Sequence, residues 1–439
     1  MLTIYRSNKA EWLAEILGQD LRLNPPEITE EVNIVVSTWP TCRWLSEKHS
    51  IINHINALVK YPFPGNYLKS LVKKIVGIDP NEKDPWEKNQ LVWIILELLP
   101  ELMKMDEAQV IRAWLNVSDQ DNKQINLSLW DLANNIAETF DDYILYRPEI
   151  INQWLSKKKK KNSKDKSVNK NMLWQEKLFN LLYKNINKDP FCLQVQEAIK
   201  RLKQDAISDL DYPKNLYFYG LSSLAPLQID LIQAFSKVIN IKIYLISPCN
   251  DLWQRCEERR LQFRSKWNTP PDRQWLLESP RLEAFLGRMG AEFQQLLEGS
   301  GEYQLGDRNE EDIFSLTADI TTNKGGKPNL LEQLQQELLS TRSECILTKE
   351  KSDKSLLFLK SPSKYRQVEL IRDHILQLLS NDKSLQPRDI LIMTPQIDSY
   401  TPIITSVFNN IDHEITQLPW VITDKSQEDK VGLIHFVLN

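Results

Sequence analysis

The chain has 439 residues, 41% of them hydrophobic, enough to bury a substantial core in two or three domains. Its net charge of −4 excludes a global basic field, so a site for a polyanion must be local and built from clustered Lys and Arg. The five cysteines (Cys42, Cys192, Cys249, Cys256 and Cys345) contain no C-x-x-C pair, which argues against structural zinc or a disulfide framework and fits a reducing compartment. The longest strongly apolar stretch, Leu91 to Leu96, falls far short of the roughly 20 residues of a membrane span. The charged residues Arg6, Lys9 and Glu11 leave no signal-peptide core. A soluble, cytoplasmic protein is expected.

In chain order, Leu2 to Tyr5 reads as a first strand, with Ser7-Asn8 capping a helix through Leu17. Ile34 to Val36 is a second strand, inside the run Asn33-Ile-Val-Val-Ser-Thr-Trp-Pro-Thr-Cys-Arg-Trp-Leu45, where an apolar segment meets a polar turn and then a helix. A nucleotide-binding domain carries its phosphate loop at such a place. That loop needs glycines whose N–H groups close around phosphate, a lysine, and a Ser/Thr for magnesium. Trp39 and Pro40 supply none of these, and no lysine precedes Thr41.

From about residue 46 to 206 the pattern is mainly helical, an insert that splits one sheet. Leu132, Ile136, Phe140 and Tyr143 mark one face of a helix ending near Arg147-Pro148. Leu216 to Tyr219 restores strand character. It is followed by the turn Gly220-Leu-Ser-Ser-Leu-Ala-Pro226, a helix with a hydroxyl cap and a first-turn proline, and the strand Ile241 to Ile246. The first domain is thus expected over 1-345, with sheet parts at about 1-45 and 210-316 and a linker at about 317-345. Lysine-rich Ser156 to Lys170, with Lys157 to Lys161 in a row, reads as a solvated loop that is also able to touch a nucleic-acid backbone. Gly325-Gly-Lys-Pro328 fails as a phosphate loop on spacing, on its proline and for want of a preceding strand.

A second α/β domain, 346-439, is expected to begin with the strand Leu356 to Leu359. A helix capped by Ser361-Pro-Ser363 follows, with a stripe of Val368, Ile371, Ile375, Leu378 and Leu379, and then a second strand, Ile390 to Met393. Asp398-Ser-Tyr400 opens another helix, and Leu433 to Leu438 is again apolar. So short a parallel sheet leaves apolar surface exposed, which points to a truncated domain or one that leans on partner subunits.

Several short motifs occur in order: Leu2-Thr-Ile-Tyr-Arg-Ser-Asn8, Val36-Ser-Thr38 with Trp44-Leu45, Tyr61-Pro-Phe-Pro64 and Leu98-Leu-Pro100. Phe140-Asp-Asp-Tyr143 with Tyr146-Arg-Pro148, Gly220-Leu-Ser-Ser-Leu224, Ser361-Pro362 with Arg366 and Glu369, and Pro387-Arg-Asp389 with Asp398-Ser-Tyr400 complete the series. Over essentially the whole chain this resembles the N-terminal part of the RecC family, the gamma chains of exodeoxyribonuclease V. The resemblance implies a superfamily 1 helicase-like fold, derived from P-loop NTPases but without a working phosphate loop. It implies a non-hydrolytic, DNA-binding scaffold subunit of the RecBCD helicase-nuclease, acting in double-strand break repair by recombination. RecB-like and RecD-like motor subunits and DNA would be its partners, with ATP and magnesium used by those subunits and no cofactor in this chain.

Single-strand reading needs cations for the backbone, stacking surfaces, and polar groups for base edges. Carried over through the motifs, the implied DNA-binding positions are Thr38, Arg43, Phe63, Lys69, Glu138, Thr139, Asp141, Asp142 and Arg147, with Val36 beside them. Val36 and Arg43 stand where the family pattern has amides, Lys69 replaces an aromatic and Thr139 an apolar residue. Each has an ordinary reading too: Asp141 and Asp142 as a solvated helix face, Arg147 as the neutraliser of a helix C-terminus, Phe63 as a core wedge, and the thirteen tryptophans as mostly core. Gly287 and Gly290 fit close helix packing or a bend.

Catalytic readings are thin. The five histidines make no metal-ligand motif, and His49 and His54 miss the i, i+4 spacing of a zinc helix. Asp84-Pro-Trp-Glu-Lys88 has the residue types of a nuclease site but no flanking strand, so it reads as a surface loop. No catalytic residue and no metal site are assigned. Beside the DNA-guiding subunit stands a second expectation, a protein-protein scaffold for the motor subunits with no DNA contact of its own.

Overall fold

Alternation along the apolar strands builds a two-faced sheet in the computed structural model. It describes residues 1–27, 29–115, 127–156, 170–204, 212–249, 288–298, 308–315, 321–322, 325–340, 347–348, 350–409 and 418–423. The lysine run Lys157–Lys161, Gly287 and the apolar segment Leu433–Leu438 lie outside the described residues. The chain divides into two compact units, 1–328 with 332–346, and 329–331 with 347–439.

The first unit opens with β1 (Leu2–Ser7), α1 (Ala10–Leu23), β2 (Val32–Val36), α2 (Trp39–Asn53) and β3 (Val59–Lys60). A helical block follows: α3 (Pro64–Val76), α4 (Lys88–Leu102), α5 (Gln109–Leu115), α6 (Leu127–Tyr146), α7 (Pro148–Leu155), α8 (Lys170–Ile186) and α9 (Phe191–Lys203). The chain then returns through β4 (Asn215–Tyr219), α10 (Pro226–Phe235), β5 (Asn240–Ile246), α11 (Arg288–Glu298), β6 (Arg308–Asp312) and α12 (Leu330–Ser340). The strands lie in the order β3-β2-β4-β5-β1-β6, and every neighbouring pair is parallel.

A parallel sheet is stable when both faces are covered, and here the two-residue period sorts the strands to two cores. Ile34, Val36, Tyr217, Tyr219 and Tyr244 meet Leu13, Leu17 and Leu21 of α1 and Leu45 of α2. Leu2, Ile4, Val35, Leu216, Phe218, Ile241 and Ile243 turn the other way, into a larger core shared with the helical block and α10. At the outer edge, Arg6 reaches Asp312 at 2.7 Å and Glu310 at 2.8 Å, tying the wholly polar β6 to β1.

Several local expectations are revised. Leu21 prolongs the stripe of Leu13 and Leu17, so α1 runs to Leu23 rather than stopping at Leu17. Its cap residue is Lys9, while the Ser7 hydroxyl accepts the Lys9 N–H at 3.0 Å. The helix after Gly220 has no hydroxyl cap. Ala225 precedes Pro226 and has no side-chain group to cap the helix; the Gln228 side chain instead reaches back and accepts the Ala225 N–H at 3.0 Å. The segment Asp84–Lys88 is no surface loop: Asp84 and Trp86 are buried, with the Asp84 carboxylate accepting the Trp86 N–H at 3.0 Å. Trp86 is core as expected, whereas Trp39 and Trp93 are exposed.

The second unit holds α13 (Lys364–Asn381) and α14 (Ile397–Asn409). The Ser363 hydroxyl caps α13 by accepting the Arg366 N–H, as its sequence leads one to expect. Val368 and Ile375 are buried against Val407 and Phe408, with Ile371 and Leu379 packed beside them, while Leu378 points outward. The two expected strands are absent from the described residues. Residues 356–359 and 390–393 have no ladder partner, and Phe358, Leu391 and Met393 are exposed at 90%, 80% and 82%. Apolar β-type composition makes a strand only where another backbone accepts its hydrogen bonds.

Candidate nucleic-acid interface

Ligands of open parallel sheets bind beyond the carboxyl ends of the strands, where neighbouring connections diverge. Here β1 sends its connection through α1 on one face toward β2, while β5 continues with α11 on the other face toward β6. The carboxyl ends of β1 and β5 therefore flank the switch point, where the half-buried Asn8 and the buried Ser247 and Gln294 are engaged in hydrogen bonds. The Asn8 amide donates to the Ser315 carbonyl at 2.8 Å and accepts the Ser315 N–H at 3.0 Å. Ser247 N–H reaches the Ser7 carbonyl at 3.0 Å, and the Ser247 hydroxyl, itself bonded to the Cys249 carbonyl, accepts from Gln294 at 2.8 Å.

Two strands away, the β2–α2 turn carries the first group of expected site residues. Thr38 is the cap of α2, its hydroxyl accepting the Thr41 N–H at 3.3 Å and lying 2.9 Å from the Thr41 hydroxyl. Phe63, cap residue of α3, is half-buried and meets Trp39 edge-on, ring centres 5.5 Å apart at 86°. Thr38 and Phe63 are thus linked through Trp39, a residue that sequence reasoning read only as a missing glycine. Arg43 is exposed on α2 and makes no ion pair among the described residues. Val36 lies wholly within the core beneath α1 and α2 and offers nothing to solvent.

The second group comes from α3, from α6 and from the end of α6, near the residues that enter α4. Lys69 lies 3.9 Å from Glu87, and Lys88 pairs with Glu138 at 2.8 Å. Asp141 is exposed, yet partial desolvation by its neighbours raises its carboxyl above the ordinary range; Lys69 opposes that rise, and Asp142, Asp84 and Glu87 add to it. Lys69, Asp141 and Asp142 therefore share one electrostatic neighbourhood, rich in carboxylates. The Thr139 hydroxyl is engaged with the Asn135 carbonyl of its own helix at 2.7 Å. Arg147 is the exposed cap residue between α6 and α7, its N–H closing onto the Tyr143 carbonyl at 2.9 Å.

Beside Trp39 opens a cleft of about 940 Å³, walled by Tyr61, Tyr67 and Tyr212 and carrying Lys60, Lys74 and Lys214. Nothing in the sequence gathers these residues, because they come from separate segments: the start of α2, the end of β3, α3 and the approach to β4. Behind Tyr61 lies a buried polar network: its hydroxyl is 3.4 Å from His49 Nδ1 and accepts from Asn56 at 3.3 Å. Burial lowers the His49 pKa from 6.5 to about 4, and His49 Nε2 has no partner among the described residues. A histidine with a depressed folded pKa leaves the protein fully stable above 6.5 and weakens it as pH falls toward 4, where the loss is complete. Urea midpoints are expected to record about 3 kcal/mol lost across that window; a His49 ring titrating near its ordinary value in NMR contradicts this.

No helix among the described residues is long and apolar enough to cross a membrane, and no cluster of three or more His, Cys, Asp or Glu with metal-holding geometry occurs among them. The family model described as "RecC, N-terminal domain" matches residues 2–341. The RecBCD enzyme subunit RecC of Haemophilus influenzae is 25% identical, aligned over 100% of this chain and 42% of its own length. The Escherichia coli subunit of the same name is also 25% identical, over 97% of this chain and 39% of its own, and that of Mycolicibacterium smegmatis 23%, over 93% and 34%. The chain spans about two fifths of the length of these relatives. With its family match extending over most of the sequence, the chain belongs to the RecC family and carries that family's N-terminal domain.

Proposed function

We propose that this domain is a non-hydrolytic guide for single-stranded DNA within a RecBCD-type helicase-nuclease, serving double-strand break repair by recombination. The relatives' shared name places them in that enzyme. The observation that carries the reading is the closed switch point. A motor fold holds phosphate on glycine N–H groups at a strand-to-helix turn, but here Ser7-Asn8-Lys9 has no glycine and its asparagine is bonded to Ser315. The second such turn offers Trp39 and Pro40 instead. What remains is a helicase-like sheet with a helical insert, acting as a passive wall, while ATP and magnesium serve RecB-like and RecD-like partners.

Thr38 and Arg43 in one group and Lys69, Glu138, Thr139, Asp141, Asp142 and Arg147 in the other supply the polar and cationic groups of the guide, with Phe63 as an aromatic surface beside the first. Each phosphate neutralised on a single strand contributes about −0.7 to the slope of log affinity against log salt. Alanine at Arg43, Lys69 and Arg147 together is expected to flatten that slope by roughly 2, measured with labelled oligodeoxynucleotides. An unchanged slope favours the second reading, a protein-protein scaffold without DNA contact. The exposed Phe358, Leu391, Met393 and Val421 of the second unit speak for that reading, since apolar side chains so open to water suit burial against another polypeptide.

A further inference from the structure

Trp39 is 71% exposed, yet its ring is held. Pro40 follows it in the first turn of α2, Phe63 packs edge-on at 5.5 Å, and the residue lines the aromatic cleft. A large apolar ring fixed in water loses little freedom on binding, so stacking on it is not offset by the cost of ordering it. Four residues along the same helix, Arg43 lies on the same face as Trp39 and is exposed. An open ring with a guanidinium beside it matches one nucleotide: the base against the indole, its phosphate against the cation.

The cleft narrows the ligand further. Two of its three carboxylates are already paired, Glu31 with Lys60 at 2.7 Å and Glu27 with Lys214 at 2.8 Å. Those pairs and Glu30 make that part of the cleft a poor path for a phosphate backbone, while Tyr61, Tyr67 and Tyr212 give it flat surfaces. Bases therefore fit the cleft better than phosphates do, and the exposed Lys74, which has no ion-pair partner among the described residues, offers a cation for the backbone beside them. Duplex DNA cannot enter such a site, because its bases are stacked on one another; an unpaired strand can.

We propose that Trp39 is a stacking platform for an unpaired base of single-stranded DNA, with Arg43 holding the adjoining phosphate and the tyrosine-walled cleft taking the next base. This rests on the DNA-guiding reading and extends it to a residue outside the positions carried over from the family pattern.

The test uses the full chain and a fluorescein-labelled oligodeoxythymidylate of roughly 12 nucleotides, within the site size of single-strand grooves, followed by anisotropy. Trp39→Ala is expected to weaken binding by about 5- to 100-fold, the range for one lost stacked base, whereas Trp39→Phe keeps most of it. With 5-iododeoxyuridine in the strand, photo-crosslinks are expected on the peptide containing Trp39. Unfolding midpoints of both variants should match the parent, since the ring is exposed. If Trp39→Ala binds like the parent, if Phe fails as badly as Ala, or if crosslinks fall only on 138–147, the platform is overturned. When the Arg43, Lys69 and Arg147 variant still loses binding in that case, the guide itself stands. If the parent chain binds no single strand at low salt, both readings fall together.

Discussion

Trp86→Ala is expected to remove about 4 kcal/mol of stability, within the range for truncating a buried large aromatic. The indole is 2% exposed, stacks on Phe179 with ring centres 5.0 Å apart, and lies 6.5 Å from Tyr183. Its Nε1–H donates to the Lys188 carbonyl at 2.9 Å, and its own N–H is held by Asp84. One side chain thus fastens the segment before α4 to α8 and to the turn entering α9. Removing it leaves a cavity among large rings that cannot collapse easily, and a part-buried carbonyl without its donor. Trp86→Phe restores most of the apolar contact and forfeits the hydrogen bond, so its cost should be near 1 to 2 kcal/mol. Urea unfolding followed by far-UV circular dichroism measures both. A Trp86→Ala midpoint equal to the parent's contradicts the role of Trp86 as a packing hub.

That hub was hidden in the sequence for a reason that applies elsewhere in the fold. Asp84-Pro-Trp-Glu-Lys88 is polar by composition, and only the arrival of Phe179 and Tyr183 from α8 makes its tryptophan a core residue. The central strands β1, β2, β4 and β5 were legible because burial on both faces leaves an apolar run in the chain. Edge strands carry no such mark. Arg308-Asn-Glu-Glu-Asp312 has no apolar residue, and its place beside β1 comes from ladder bonds and from Arg6. The reverse holds in the second unit, where 356–359 and 390–393 look as apolar as β4 but lack a neighbouring backbone among the described residues.

The candidate site divides the same way. The Thr38 cap follows from local order, a hydroxyl just ahead of a proline in a first helical turn. The meeting of Lys69 with Asp141, or of Trp39 with Tyr61, Tyr67 and Tyr212, depends on how α2, α3 and α6 pack, which periodicity cannot supply.

Asn8→Leu is expected to cost about 4 kcal/mol, roughly 2 for each of the two Ser315 backbone groups left without a partner. Leucine has the branching pattern of asparagine, though it is bulkier, and can neither donate to the Ser315 carbonyl nor accept its N–H, bonds now made at 2.8 and 3.0 Å. Ser315 is 8% exposed, so water replaces those bonds poorly. The damage should be local as well as global. Beside Ser315, the Ile313 N–H is bonded to the Arg6 carbonyl at 2.8 Å, so a loosened Ser315 releases the exit of β6 from β1. Hydrogen exchange is expected to accelerate at Ser315 and Ile313 in Asn8→Leu, while the buried amides of β4 exchange at a rate set by the lowered global stability. The variant also probes the closed switch point: opening the lock supplies neither glycine nor a phosphate-binding lysine cradle, so nucleotide affinity should stay as low as in the parent. Gain of nucleotide binding on breaking the Asn8–Ser315 pair would contradict the proposed non-hydrolytic role.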